Sequence, residues 1–207
     1  MATNFGQYDD AERFLDSMHN VDSTGKLTAP WIGGQMLRGA AAIRAMRFED
    51  ADKQFTESIA AIGNADHIYR DAFLALSACG VGDTWIRQGR AELAVAHFRR
   101  ARNIVKDSPR MLGASRISMR ATSGMAAAYA LSAARERARE LLTEVANYLD
   151  RIVPRTEDWL WEGAMGQVVH SVAVAHACAG DSDVAAKYLE LAVRTGWRDA
   201  GWLLNIL

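Results

Sequence analysis

The sequence is poor in the residues that interrupt helices and in those that cross-link small folds. Its 207 residues include 3 prolines and 2 cysteines, and Cys79 and Cys178 lie far apart. Two isolated thiols do not form a disulfide framework, so they predict a reducing compartment. Because proline is the residue least compatible with a helix interior, its scarcity beside abundant alanine favours helices throughout.

Charge of one sign and long apolar runs are also missing. The formal net charge is -1, which excludes non-specific attraction to nucleic acid or to an anionic membrane. No apolar stretch reaches the roughly 18 residues of a membrane span, and the N-terminal MATNFGQYDDAERF lacks the pattern of a secretory signal. We therefore expect a soluble cytoplasmic protein; a fragment of a longer chain has the same properties.

What the sequence does contain is a pattern that returns about every 45 residues, the sign of a repeat architecture. A small residue opens the second helix of each unit, at Ala51, Ala94, Ala138 and Ala185. The residues four and seven positions later form the stripe of one buried helical face; they are Phe55 and Ser58, Phe98 and Ala101, Leu142 and Val145, and Leu189 and Ala192.

The same register extends backwards from each of these alanines. Small residues lie twelve positions earlier, at Gly39, Gly82, Ala126 and Ala173. Nine positions earlier come Ala42, Trp85, Tyr129 and His176, and five positions earlier come Met46, Gly89, Ala133 and Gly180. Each unit is therefore predicted to hold two helices joined by a short turn at the last of these sets, where glycine suits a helix C-terminus.

The predicted helices cover residues 8–19, 30–46, 48–62, 67–88, 90–106, 109–133, 135–152, 157–179, 182–195 and 198–206. Ser108 and Pro109 are interpreted as an N-cap followed by proline at the first helical position. A single domain over 1–207 then comprises a half-repeat at 5–20, repeats at about 30–63, 67–107, 109–152 and 157–195, and a C-terminal cap at 197–207.

This arrangement resembles the tetratricopeptide repeat (TPR). The clearest match is Gly82, Trp85, Gly89, Ala94, Phe98 and Ala101. The resemblance implies an all-α fold, a right-handed α-solenoid of antiparallel helix pairs with capping helices at both ends, in the long-repeat form found in bacterial regulators. The longer period and the absence of the usual closing proline keep HEAT-type helix pairs as the alternative fold.

Motifs for chemistry are missing. The histidines include no HExxH arrangement, the cysteines no CxxC, and the glycines no phosphate-binding loop. His176 occupies a position that the repeat assigns to packing, and free cysteines are commonly small buried apolar residues. We expect no enzyme activity, no metal and no cofactor. Trp197 and Trp202 are predicted to cap the last unit, whereas Trp31, Trp159 and Trp161 are open to a role as interface anchors.

First helices line the concave groove of such a stack, so the groove is where a partner is expected. The groove residues predicted from the repeat register are Met36, Arg44, Asp83, Arg87, Arg120, Gln167 and His170. Arginine at equivalent positions of adjacent units suits a protein or peptide partner that carries a carboxylate; the alternative is that these arginines are solvated or pair with local acids such as Asp83. TPR proteins that bind chaperone C-termini use a Lys/Asn clamp, and Met36 and Ala40 stand where those residues would lie, which excludes that function.

The expected function is a non-catalytic protein-interaction scaffold. The alternative is a regulatory or ligand-sensing module of a bacterial signalling or transcription protein, and either one could form a homodimer through an end of the stack. No partnership with nucleic acid or membrane is expected.

Overall fold

The computed structural model describes residues 33–63, 66–152 and 159–197, together with positions 10, 13 and 15. Within these ranges the regular structure is helical and no strand occurs. The helices are α1 Gly34–Arg44, α2 Phe48–Gly63, α3 Arg70–Arg87, α4 Ala91–Asp107, α5 Ala114–Leu131, α6 Arg135–Ile152, α7 Trp159–Ala179 and α8 Ser182–Arg194. None of the described helices is long and apolar enough to cross a bilayer.

The helices form four consecutive pairs, α1–α2, α3–α4, α5–α6 and α7–α8, stacked as an α-solenoid. The second helix of one pair packs on the first helix of the next, as α2 does on α3 and α4 on α5. The last pair is placed differently, because outside its own pair α7 packs on α5 and only weakly on α6. The first helices of the third and fourth pairs therefore lie side by side.

The turn within every pair has one geometry. The backbone is left-handed at Met46 (φ 60°), Gly89 (φ 74°), Ala133 (φ 62°) and Gly180 (φ 85°). The following N–H donates to the carbonyl five residues back, from Arg90 to Trp85 at 2.8 Å for example, which is the Schellman closure of a helix. The predicted turn positions are confirmed in all four units.

Two phenylalanine rings show why the small residues recur. A Cβ added to Gly39 or to Gly80 would lie 2.9 or 2.3 Å from the ring of Phe55, and one added to Gly82 or Gly124 would lie 2.7 or 2.3 Å from the ring of Phe98. Each ring is thus held between a glycine of its own unit and a glycine of the next. Phe55 and Phe98 are 2% and 0% exposed, so these contacts form the core at the junctions between units.

One predicted helix start is wrong. Helix α5 begins at Ala114 and not at Pro109, and its N-cap is Gly113 with φ 76°. Ser108 instead ends α4, and its hydroxyl donates to the carboxylate of Asp71. Helix α3 also begins three residues later than predicted, at Arg70, whereas the predicted start of α1 at residue 30 lies outside the described residues.

The two predicted end caps lie largely outside the described residues. At the N-terminal end, Asp10, Arg13 and Leu15 are helical, within the predicted helix over 8–19. The predicted helix over 198–206, with Trp202, falls outside the described ranges, and so do Pro30, Trp31 and Pro154.

Candidate functional site

The predicted groove residues all lie on the first helices of the pairs. Arg44 ends α1, Asp83 and Arg87 lie in the last turns of α3, Arg120 lies in α5 and His170 in α7. The small-residue face of each first helix packs on its partner, as Gly39 does on Phe55. The face of each first helix that is rotated by about 100° from this one is not used for packing on the partner helix.

Arg120 and Asp83 join neighbouring first helices. The Arg120 guanidinium lies 2.8 Å from the Asp83 carboxylate, and the two side chains are 27% and 35% exposed. The thiol of Cys79 is completely buried nearby. Burial raises its pKa to about 12, with Arg120 lowering and Asp83 raising it. Because a thiolate is the nucleophilic form, Cys79 is an inert packing residue at neutral pH.

His170 is the residue on which the arginines converge. Burial, and after it the positive charges of Arg87, Arg44 and Arg120, together lower the pKa of its imidazole to about 3. Like charge close to a histidine opposes its protonation, so the imidazole is neutral at pH 7. Side chains from α1, α3 and α5 therefore act on one ring in α7. We call Arg44, Asp83, Arg87, Arg120 and His170 the arginine cluster.

An aromatic ring covers His170. Its imidazole stacks on the indole of Trp197, with ring centroids 4.4 Å apart and an interplanar angle of 8°. Trp197 is 6% exposed. Its backbone N–H donates to the Ala192 carbonyl at 2.9 Å, directly after Gly196 in the left-handed conformation. The residue predicted to cap the last unit is thus buried there and also contacts the cluster.

Two predicted groove residues lie apart from the arginine cluster. Met36 is partly buried against the core of the first two pairs, near Phe55 and Val81. Gln167 is exposed, and its carbonyl accepts the Ser171 hydroxyl at 2.9 Å. Neither side chain shares a described contact with the cluster, although both belong to first helices.

Other aromatic and histidine residues have packing roles. His176 stacks on Tyr188 at 5.3 Å, in agreement with the predicted packing role. Trp85 lies between units and donates from its indole N–H to Asp52 at 3.0 Å. The side chains of Trp159 and Trp161 lie outside the described part of the chain.

Comparison with known proteins identifies the architecture. No family model and no curated protein matches the chain. Among solved structures it resembles a single-substitution variant of a Podosopora anserina protein, assigned as a kinesin light chain with nearly identical TPR-like repeats. The two share 17% identity with a TM-score of 0.57, over 94% of this chain and 89% of the other.

The chain has a TPR-like fold. This likeness, together with the four helix pairs, favours the TPR-like interpretation over HEAT-type pairs. At this identity the likeness concerns the fold, so the chemistry of the site depends on the chain's own residues.

Sequence reasoning missed the contact between His170 and Trp197, a residue that follows the last described helix. Trp197 follows His170 by most of a helix pair, and no periodic offset relates the two positions. The available signal was Gly166, one turn before His170, where an added Cβ would lie 2.4 Å from the Trp197 backbone nitrogen. Such close approach of another backbone is a reason for glycine inside a helix.

The chemistry of the arginine cluster is electrostatic. Guanidinium groups give planar, bidentate hydrogen bonds to carboxylates and phosphates and do not lose their proton. The thiol of Cys178, in the same helix as His170, has its pKa raised by burial. The arrangement suits holding an anion.

Proposed function

We propose that the chain is a non-catalytic protein-interaction scaffold that holds an acidic group of a partner peptide at the arginine cluster. The TPR-like fold supports a scaffold for protein partners. The observation that carries the finer proposal is the convergence of Arg44, Arg87 and Arg120 on His170. These cations come from three different helix pairs, so the stack brings them together only when folded.

The electrostatics favour an anionic ligand group. Asp83 balances the charge of Arg120 at 2.8 Å and holds that side chain in place. Among the described residues, those whose charges act on His170 are all cationic. A carboxylate placed here would form charge-assisted hydrogen bonds, which are about twice as strong as neutral ones.

In this proposal the ligand is a peptide, which contacts the other two predicted groove residues in addition to the cluster. Met36 lies towards the first pair and Gln167 is exposed in α7; in this proposal they contact the ligand on either side of the acidic group. Apolar pockets beside a few fixed polar groups are typical of peptide and small-molecule sites. The second candidate, a ligand-sensing module, would use the same cluster for a small acid.

The test is a selection of acidic and neutral peptides from a random octapeptide library. The wild-type protein should enrich peptides with a carboxylate, and the Arg44→Glu/Arg87→Glu variant should lose at least tenfold in affinity for them. The matched control is Arg100→Glu/Arg139→Glu, which makes the same charge change at exposed positions of α4 and α6 and should bind as wild type does.

Unchanged binding by the Arg44→Glu/Arg87→Glu variant would refute the proposal. Binding of small dicarboxylates without enrichment of any peptide would replace the scaffold by the sensing module.

A further inference from the structure

Trp197 meets helix α7 along one face. Gly166 and His170 are separated by one helical turn, so they lie on the same side of α7. The backbone of Trp197 lies against Gly166, since a Cβ added to Gly166 would lie 2.4 Å from the Trp197 nitrogen and 2.9 Å from its Cα. At His170 the approach is by side chain, with the two rings stacked at 4.4 Å.

The turn that carries Trp197 is well defined. Thr195 donates its N–H to Leu191 at 2.9 Å, Gly196 adopts φ 92°, and Trp197 donates to Ala192 at 2.9 Å. This is the same Schellman closure that ends the first helix of every pair. The indole is therefore fixed from its own helix and, through Gly166, from α7.

A stacked indole restricts the neighbouring imidazole to one plane. A histidine side chain has two rotatable bonds, and rotation about the outer one is broad unless packing limits it. The groups that face His170 are Arg44 of α1, Arg87 of α3 and Arg120 of α5, together with Trp197. The orientation of the ring among these cations thus depends on a residue that follows the last described helix.

We propose that Trp197 is a positioning residue of the arginine cluster. By stacking on His170, it holds the imidazole in one orientation, and in that orientation the ring and the guanidiniums bind an anion together. This inference rests on the proposed function, since it concerns the same site. It adds that the turn after α8 sets the affinity of a site formed by the first helices.

The experiment measures anion binding at His170 by NMR. Sodium acetate and sodium sulfate are titrated into the full chain at constant ionic strength, and the His170 ring resonance, assigned with His170→Gln, reports the Kd. Trp197→Leu should raise the Kd for both anions at least fivefold, while Trp197→Phe, which keeps a stacking ring, should stay within twofold of wild type. Gly166→Ala should raise the Kd as well, because the added methyl displaces Trp197.

Two controls separate positioning from packing. Trp85→Leu removes a tryptophan that packs between units and bonds Asp52, and Gly63→Ala adds a methyl group where nothing lies within 4 Å. Both should leave the Kd unchanged even if Trp85→Leu lowers stability.

An unchanged Kd in folded Trp197→Leu, or in Gly166→Ala if the leucine variant does not fold, would overturn the inference and leave the proposed function standing. Absence of any anion-dependent shift in the wild-type protein would refute both.

Discussion

Two residues adopt a backbone conformation that suits glycine better than their own side chains. Met46 and Ala133 have φ values of 60° and 62° at turns where the other two units use Gly89 and Gly180. A non-glycine residue in the left-handed region costs roughly 1–2 kcal/mol. All four turns form the same hydrogen bonds, so the geometry is imposed by the helix pair and the residue type adjusts to it.

Replacing Ala133 by glycine should stabilise the protein. The residue is exposed, so little packing is lost, and relief of the left-handed strain should exceed the entropic cost of glycine, with a net gain of about 0.5–1 kcal/mol. The measurement is the midpoint of urea unfolding. Gly89→Ala provides the reverse change at the equivalent position and should lower the midpoint.

Glycines that contact a ring across a unit boundary should not tolerate a methyl group. Gly80→Ala and Gly124→Ala would each place a Cβ 2.3 Å from a phenylalanine ring, and overpacking of this kind typically costs about 1–3 kcal/mol. Thermal unfolding should show lower melting temperatures for both. Gly63→Ala, with no atom within 4 Å, should melt at or above the wild-type temperature; a similar loss there would rule out overpacking as the cause.

Helices differ in how well the sequence predicts them. The small and bulky residues that recur at constant offsets predicted the turns of all four units and the buried faces of α2, α4 and α6. In α8 only Ala192 of the predicted stripe is buried. The start of α5 did not follow, because Ser108 bonds Asp71, a partner 37 residues away, and no local rule contains that contact. Gly80 and Gly124 were missed for the same reason: their rings belong to the preceding unit.

Helix α7 contributes a histidine that resists protonation, and this gives stability a pH dependence. With its pKa lowered to about 3, native His170 stays neutral while the unfolded chain takes up a proton near pH 6.5. The unfolded state then binds more protons, so stability falls as pH decreases from about 6.5 towards 3, by up to about 2 kcal/mol at pH 5.

Urea unfolding at pH 7 and pH 5 measures this effect. His170→Gln should show a smaller loss between the two values than wild type, because glutamine does not titrate. An equal loss in both proteins would assign the pH dependence to other groups.

At the scale of the whole molecule, the first and fourth helix pairs act on each other. Arg44 ends α1, yet its charge lowers the pKa of His170 in α7. In a repeat stack each unit ordinarily contacts its neighbours alone, so an electrostatic effect between the first and fourth pairs does not follow from the repeat. The repeat register predicted both residues for the same face, but it contains nothing about the packing of α7 on α5.

Reversal of a charge in the first helix pair should therefore change the pKa of a histidine in the fourth pair. Arg44→Glu should raise the pKa of His170 by roughly one unit, since it replaces a repelling charge by an attracting one. The His170 ring resonance, followed from neutral pH to below the pKa of about 3, measures the change. Lys53→Glu makes the same reversal at an exposed position of α2 and should leave the titration as in wild type.

The phenylalanine rings at the unit junctions also have a mechanical consequence. Phe55 and Phe98 each lie between a glycine of their own unit and a glycine of the next, so a change in the angle between two units must move a buried ring against glycine backbone. Because protein interiors are close-packed, we expect these two junctions to resist bending more than a junction filled by flexible side chains.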